Sequence, residues 1–373
     1  MEVGRLPGNL AESYRNRVTL SGAPAPKRGT HDHRQQPARA RLRDGRTMSS
    51  RWRSSVVSFA FIPVLTIPII GSPTTTPPPA VVKLINYFPS HHPWVSMWNN
   101  WDSATMDKDF ATIAGLNANV VRLLIQPSAF GYPQPSPVPM QHLWDAVTLA
   151  ANHGLRVQLT LFDLWNKYGD LDGSKRWATA VLTPFRSDKR VQSVELQNEI
   201  DGSSAFATNW ARLMLPNLRT AAGNIPVTIS SKASLTNLQA LKRSLSFWQP
   251  DFYSFHYYGT AEGALPILKD ARSIAAPQSL FVGETGLPSS TGSPLAAPDP
   301  NQEAEQSRFI AAVENATQAL SLQPAAPWIF QDFAPGVLLS TTPWSEYHFG
   351  LLRADGSEKP SATWLRNYFG VRN

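Results

Sequence analysis

From residue 81 to residue 373, short apolar runs alternate with helical patterns about eight times, and this alternation constrains the fold more than any other feature. Strands that alternate with helices pair in parallel, because each helix returns the chain to the same end of the sheet. Eight such units in a segment of this length favour a closed barrel over an open doubly wound sheet. No Gly-x-Gly-x-x-Gly follows the first strand, which argues against a dinucleotide-binding domain. We therefore predict an α/β fold with a single (β/α)8 TIM barrel.

The boundaries follow from the switch between strand and helix periodicity. The predicted strands are 81–87, 119–125, 155–162, 191–200, 225–230, 251–257, 279–284 and 327–332. The predicted helices are 105–116, 140–153, 174–185, 205–221, 235–245, 264–274, 302–320 and 361–369.

The segment before the barrel has a different composition. Residues 1–47 are rich in Arg, Gly and Pro and lack apolar periodicity, so we expect disorder there. Residues 48–72 combine a short basic region with an apolar run that is short for a membrane span, which is typical of a secretory signal peptide. Because such a signal belongs at a chain start, we interpret Met48 as the true start. The alternative is a genuine tail followed by an uncleaved signal-anchor. Residues 73–80 form a Pro/Thr linker, and 81–373 the barrel.

Charge and cysteine content exclude several classes of protein. The formal charge is +7, but residues 1–53 hold 12 Lys and Arg against 4 Asp and Glu. The remaining residues hold 22 against 23 and are almost neutral, so we expect no nucleic-acid partner. The chain has no cysteine, which excludes disulfides and thiolate metal sites. We expect a secreted, extracellular monomer, in which only an uncleaved signal-anchor would attach the chain to a membrane or cell surface.

Two predicted strands end in a carboxylate. The run 191–200 is apolar until Asn198 and Glu199, and the run 279–284 ends at Glu284. A buried parallel strand is normally apolar throughout, so polar groups at its carboxyl end need a functional reason. In a TIM barrel the active site lies at this end. Two strand-end glutamates indicate an acid and a nucleophile that flank a glycosidic bond.

The sixth predicted strand contributes two further polar groups. A period of two places Ser254, His256 and Tyr258 on one face, directed into the barrel mouth. The alternative for His256 is a histidine satisfied within the core. Arg122 lies inside an apolar strand and needs a carboxylate partner there. That partner is either Glu284, which Arg122 would orient, or Glu195 in a purely structural salt bridge.

The polar and aromatic residues at the ends of these strands, taken in chain order, resemble a known family. They are Arg122 on strand two, Asn198-Glu199 on strand four, His256-x-Tyr258 on strand six, Glu284 on strand seven and Trp328 on strand eight. This set is similar to the cellulase-like enzymes of glycoside hydrolase family 5, within the clan of retaining (β/α)8 glycosidases.

The resemblance also implies roles. Glu199 would be the acid/base and Glu284 the nucleophile, while Asn198 would bind the sugar 2-hydroxyl. His256 and Tyr258 would support the two glutamates.

The chain departs from the family on strands three and eight. Many members carry a histidine where this chain has Phe162-Asp163, and the surrounding residues, 159–169, resemble the loop of the β-mannanase branch instead. Strand eight ends at Asp332, and the sequence assigns a role neither to it nor to Asp163.

Aromatic residues fill the presumed mouth, where sugar rings would stack; among them we predict that Trp98 and Trp165 bind substrate. We predict the same for Trp328, Arg122, His256 and Tyr258. The others are Trp94, Trp101, Tyr132, Tyr168, Trp344 and Tyr347. The alternative for each is packing of a loop onto the barrel. Adjacent His91 and His92 have poor metal geometry, and the chain has neither a His-Glu-x-x-His nor a Gly-x-Ser-x-Gly motif. We predict no metal, no cofactor and no serine hydrolase chemistry.

These features predict a secreted retaining β-glycoside hydrolase that cleaves a β-linked poly- or oligosaccharide of glucan or mannan type by double displacement. The carboxyl groups of Glu199 and Glu284 should then lie about 5 to 5.5 Å apart. Two alternatives remain open: a non-catalytic carbohydrate-binding barrel, and a transglycosylase that uses the same two glutamates.

Overall fold

The structure is a computed structural model that describes residues 81–372. The predictions for residues 1–47, 48–72 and 73–80 lie outside the described residues. Within residues 81–372, every helix is too short or too polar to cross a bilayer.

Seven parallel strands form one sheet in chain order. They are β1 Leu84–Asn86, β2 Val120–Leu124, β3 Arg156–Thr160, β4 Val191–Glu195, β5 Val227–Ser231, β6 Phe252–Tyr257 and β7 Ser279–Thr285. Each predicted strand from one to seven contains its observed counterpart or overlaps it closely. Strand β4 is shorter than expected, because its hydrogen-bonded pairing ends at Glu195 rather than near residue 200.

Residues 326–330 close the sheet into a barrel between β7 and β1. On one side the Trp328 amide donates to the Thr285 carbonyl at 2.7 Å, and on the other the Phe330 amide donates to the Asn86 carbonyl at 3.0 Å. The predicted eighth strand is therefore in the right place, but it forms only isolated bridges. Pro327 has no N–H for the ladder, and the Ile329 amide donates to Phe349 instead of a strand. The prediction of a (β/α)8 barrel is confirmed.

Helices surround this barrel. They are α1 Val95–Asn99, α2 Ser103–Gly115, α3 Pro127–Phe130, α4 Pro137–Asn152, α5 Leu171–Leu182, α6 Ala205–Ala222, α7 Leu235–Ser244, α8 Ala264–Ala275, α9 Pro300–Ala319 and α10 Pro360–Val371, with 3-10 turns at Thr183–Phe185 and Trp344–His348. All eight predicted helices are present. The short helices α1 and α3 were not expected, since a single turn carries too little periodicity to be recognised.

The barrel interior has an apolar floor below a polar layer. Leu84, Val120, Phe281 and Ala326 form a small buried cluster at the amino ends of the strands. One step higher along the same strands, Asn86 and Arg122 pair in register and are fully buried. The apolar floor excludes water from below, so the polar groups can only reach solvent at the carboxyl ends of the strands.

Candidate active site

A β-bulge directs Glu284 into the barrel. Phe255 pairs with Val282 and His256 with Glu284, so Gly283 is an extra residue in β7. Without that residue, Glu284 would point outwards like Val282, two positions earlier. Glycine at position 283 suits this bulge, because a Cβ there would lie 2.1 Å from the Ser254 hydroxyl and would force that side chain to move. The period of two alone would place Glu284 on the wrong face, and the bulge corrects this.

Glu199 lies beyond the end of β4, in a left-handed backbone conformation with φ 47°. Its amide donates to the Ser230 hydroxyl at 2.8 Å, and the next residue, Ile200, bridges back to Ser231 of β5. A non-glycine residue in this region is uncommon and requires support from its surroundings. β5 provides that support, and the side chain of Glu199 remains partly exposed at the barrel mouth.

Arg122 joins the barrel interior to this mouth. Its guanidinium donates to Glu195 at 2.9 Å and to Glu284 at 2.5 Å, so both partners that the sequence left open are present. Burial disfavours any charge here, but the two carboxylates raise the pKa of Arg122, and Arg122 in turn keeps the pKa of the buried Glu195 below its ordinary value. The remaining acceptors of the guanidinium are Thr160, Asn86 and Asn198.

His256 lies between the two glutamates. Its Nδ1 is 3.0 Å from Glu199 Oε1 and 3.2 Å from Glu284 Oε2. Burial by itself lowers the pKa of this ring, but Glu284 and Glu199 outweigh burial and raise the pKa above its ordinary value. Tyr258 donates to Glu284 Oε2 at 2.8 Å, and burial together with Glu284 raises the pKa of its phenol well above 10.0. His256 is thus not merely a satisfied core residue, because it contacts both carboxylates.

Asn198 is held from both sides. Its Oδ1 accepts from Arg122 Nη2 at 2.7 Å, and its Nδ2 donates to Asp163 Oδ1 at 3.2 Å. Asp163 is buried, and its other oxygen accepts from Gln126 at 2.7 Å. Sequence reasoning gave Asp163 no role and did not single out Gln126. The sequence carries only a weak indication of a role for Gln126 and Asp163, since each directly follows a predicted strand. The contact between Asp163 and Asn198 is formed only by the fold.

Trp98, one of the predicted substrate-binding residues, is nearly buried. Its side chain is only 2% exposed and donates to the Leu124 carbonyl at 3.0 Å. Trp101 stacks on one face at 6.2 Å between ring centroids, and Phe130 packs edge-on against it at 5.0 Å. These contacts favour the alternative that the sequence left open, in which Trp98 packs its loop onto the barrel.

Trp165 and Trp328 are nearly buried as well, with 8% and 4% exposure. Trp165 packs against Tyr132 at 4.6 Å between ring centroids, and its carbonyl accepts from Gln197, the neighbour of Asn198. Trp328 is part of the closing segment and meets Phe88 edge-on at 6.1 Å. Trp344, by contrast, is 56% exposed.

Asp332, the other carboxylate without an assigned role, stabilises the closing segment. It accepts from the buried Lys359 at 2.8 Å and from the Gly350 amide at 2.8 Å. Burial raises the pKa of Asp332 to about 6, although Lys359 acts in the opposite direction. Since Lys359 directly precedes α10, this pair attaches the last helix to the barrel rather than binding substrate.

Glu199, His256 and Glu284 also have the spacing of a metal site, since one donor atom of each lies within 4.8 Å of the others. The chemistry of the set argues against that use. Glu284 already accepts from Arg122 and Tyr258, and the raised pKa of His256 favours a protonated ring that cannot ligate a cation.

Known proteins share this fold at low sequence identity. No family model matches the chain, and no curated protein matches it. Among solved structures, the exo-β-1,4-mannosidase Op5Man5 from Opitutaceae bacterium strain TAV5 is 17% identical with a TM-score of 0.65, and the match covers 78% of this chain. The chain spans 59% of the length of that mannosidase.

Two further structures are similar. GH5_18 from Streptomyces cattleya, solved with Manβ1-4GlcNAc, is 18% identical with a TM-score of 0.64, covering 78% of this chain and 80% of that one. A β-D-glucuronidase from Dictyoglomus thermophilum is 16% identical with a TM-score of 0.57, covering 72% and 47%. The chain therefore shares its (β/α)8 fold with these glycoside hydrolases.

Proposed function

We propose that the chain is a retaining β-glycoside hydrolase of the family 5 type. The observation that carries this proposal is the cluster of one Glu199 oxygen, one Glu284 oxygen and one His256 nitrogen within 4.8 Å of one another at the mouth of the barrel. Retaining glycosidases place their two carboxyl groups about 5 to 5.5 Å apart, whereas inverting enzymes need about 6.5 to 9.5 Å to admit a water molecule. The spacing of Glu199 and Glu284 favours retention.

The surroundings of the two glutamates support different roles. Glu284 is 5% exposed and receives hydrogen bonds from Arg122 and Tyr258, which stabilise a carboxylate anion and aim it. Glu284 then attacks the anomeric carbon to form a glycosyl ester. Glu199 has a more exposed side chain, so it can protonate the leaving oxygen and later activate a water molecule that enters from solvent.

The substrate that we infer for this site is a neutral β-linked oligo- or polysaccharide of glucan or mannan type. A uronic acid would need a cation for its carboxylate. Arg122 is not free for this role, because its Nε donates to Thr160 and Glu195, its Nη1 to Asn86 and Glu284, and its Nη2 to Asn198 and Glu195. The similarity to a mannosidase supports the mannan side of this range.

Turnover of aryl β-glycosides, followed by NMR of the first-formed anomer, tests the proposal. We expect β-glucoside or β-mannoside cleavage with the β-anomer of the sugar released first. Glu305→Gln, which changes an exposed carboxylate on α9, is the matched control and should behave as wild type. First release of the α-anomer would overturn retention, and carbohydrate binding without turnover would identify a non-catalytic binding barrel. Products longer than the substrate would identify a transglycosylase.

We also propose that the enzyme is secreted and monomeric. The basis for secretion is the signal-like composition of residues 48–72. Amino-terminal sequencing of the exported protein and sedimentation of the purified chain are the tests. Retention of residues 48–72 in a membrane fraction would support the signal-anchor instead.

A further inference from the structure

Asp163 lies in a strained turn just beyond β3. Phe162 and Leu164, its neighbours on both sides, adopt left-handed conformations with φ 52° and 56°. Such conformations are unfavourable for residues other than glycine and persist only where the surrounding structure enforces them. Phe162 is fully buried and packs against Trp177 and Trp210, which fixes the turn. The strain is therefore retained at the position that directs the Asp163 side chain inwards.

The Asp163 carboxylate is itself oriented. Gln126 donates to Oδ2 at 2.7 Å, so Oδ1 faces the Nδ2 of Asn198 at 3.2 Å. The side chain is 2% exposed, so solvent does not compete for these contacts. Two donors from two different loops thus fix one carboxylate.

The Asn198 amide has two orientations that differ by a half-turn. In the observed one, oxygen faces the Arg122 donor at 2.7 Å and nitrogen faces the Asp163 acceptor. The reverse orientation would set donor against donor and acceptor against acceptor. Asp163 and Arg122 together select one orientation, and in it one Nδ2 hydrogen is engaged by Asp163 while the second is available at the half-buried edge of Asn198.

We propose that Asp163 is a positioning residue for the glycosidase reaction, acting through Asn198 so that its second N–H meets the 2-hydroxyl of the sugar. The inference rests on the proposed function. It assigns to Asp163 an effect that depends on a single substrate hydroxyl, which a merely structural carboxylate would not have.

The test compares an aryl β-glycoside with its 2-deoxy analogue. Asp163→Asn replaces one acceptor oxygen by a donor and weakens the hold on Asn198 or on Gln126. We expect kcat/KM on the parent substrate to fall roughly 10- to 100-fold, the range for one hydrogen bond to a charged group, with little change on the 2-deoxy substrate. In an Asn198→Ala background, Asp163→Asn should cause no further loss.

Two other variants keep the test informative. Asp172→Asn makes the same chemical change at an exposed site on α5 and should leave both substrates unaffected. Gln126→Leu frees only Oδ2 of Asp163, so it should give a smaller loss with the same dependence on the 2-hydroxyl, even if Asp163→Asn does not fold.

Equal losses on both substrates, or additive effects of Asp163→Asn and Asn198→Ala, would overturn the inference and leave the proposed function intact. A wild-type protein that turns over neither substrate would instead remove the proposed function, and this inference with it.

Discussion

Arg122 is the buried cation that contacts two carboxylates inside the barrel. It is fully buried and forms ion pairs with Glu195 below it and with Glu284 above it. A buried ion pair gains little net stability over apolar packing, but removing one partner leaves an uncompensated charge. The contribution of these ion pairs to the free energy of unfolding is therefore measured by removing one partner.

Arg122→Met should lower the free energy of unfolding by about 3 to 5 kcal/mol, because it leaves buried carboxylates unpaired. Urea denaturation measures this change. The double variant Arg122→Met/Glu195→Gln should regain part of the loss, since it also removes one of the two charges, but it should stay inactive because Glu284 is no longer oriented.

Arg219→Met is the control for this prediction. Arg219 pairs with Asp251 at 2.9 Å, but both side chains are about 40% exposed. We expect a change within about 1 kcal/mol, as for other exposed pairs. A similar loss in Arg122→Met and Arg219→Met would contradict the role given to burial.

The two glutamates can be separated by the anomer that azide forms. Glu199→Ala should still be glycosylated by substrates whose leaving groups need no proton, and azide in the vacated space should then give the β-glycosyl azide. Glu284→Ala cannot form the glycosyl ester, so azide should attack an activated β-glycosyl fluoride directly and give the α-azide. NMR of the products distinguishes them, and swapped anomers would reverse the two roles.

At the scale of elements, the strand and helix periods predicted the barrel and every long helix, because the outer faces of the strands pack on the helices in a regular way. The conformations on the inner faces of the strands depend instead on contacts with neighbouring strands. The bulge at Gly283 and the left-handed Glu199 depend on contacts with β6 and β5. The link between Asp163 and Asn198 spans 35 positions in the chain. Such details are set by neighbouring strands, so local sequence patterns carry little information about them.

Helix α9 carries a buried acid remote from the candidate site. Glu314 is 1% exposed, and burial raises its pKa from 4.5 to about 8. The Glu314 carboxyl ionises near pH 4.5 in the unfolded chain and near pH 8 in the folded chain. Its contribution to stability is therefore complete below pH 4.5 and is lost as the pH rises towards 8.

Glu314→Gln should therefore change the pH dependence of stability. The variant keeps an oxygen for the Ala325 amide but cannot ionise. Relative to the variant, the wild type should lose about 1 to 4 kcal/mol of unfolding free energy between pH 5 and pH 8. Urea denaturation of both proteins at the two pH values is the measurement. Parallel pH profiles would show that Glu314 titrates normally in the folded protein.

At the scale of the whole molecule, residues 81–372 contain a closed barrel with its own core. Deleting residues 1–80 should therefore leave turnover unchanged and shift the Tm by less than about 3 °C. Differential scanning calorimetry and a turnover assay of the two chains measure this. A large fall in Tm would show that the deleted segment contributes to the core.

The closing segment lies near the carboxyl end of the chain, so it is synthesised after the strands that it joins. A ribosome completes β1 to β7, with Glu199 and Glu284 included, before it reaches residues 326–330, which join β7 to β1. Until then the sheet has two open edges, each able to pair with another chain. An early stop codon just before Pro327 would leave both candidate catalytic glutamates in the product and its edges unpaired. We therefore expect a chain shortened at its carboxyl end to aggregate.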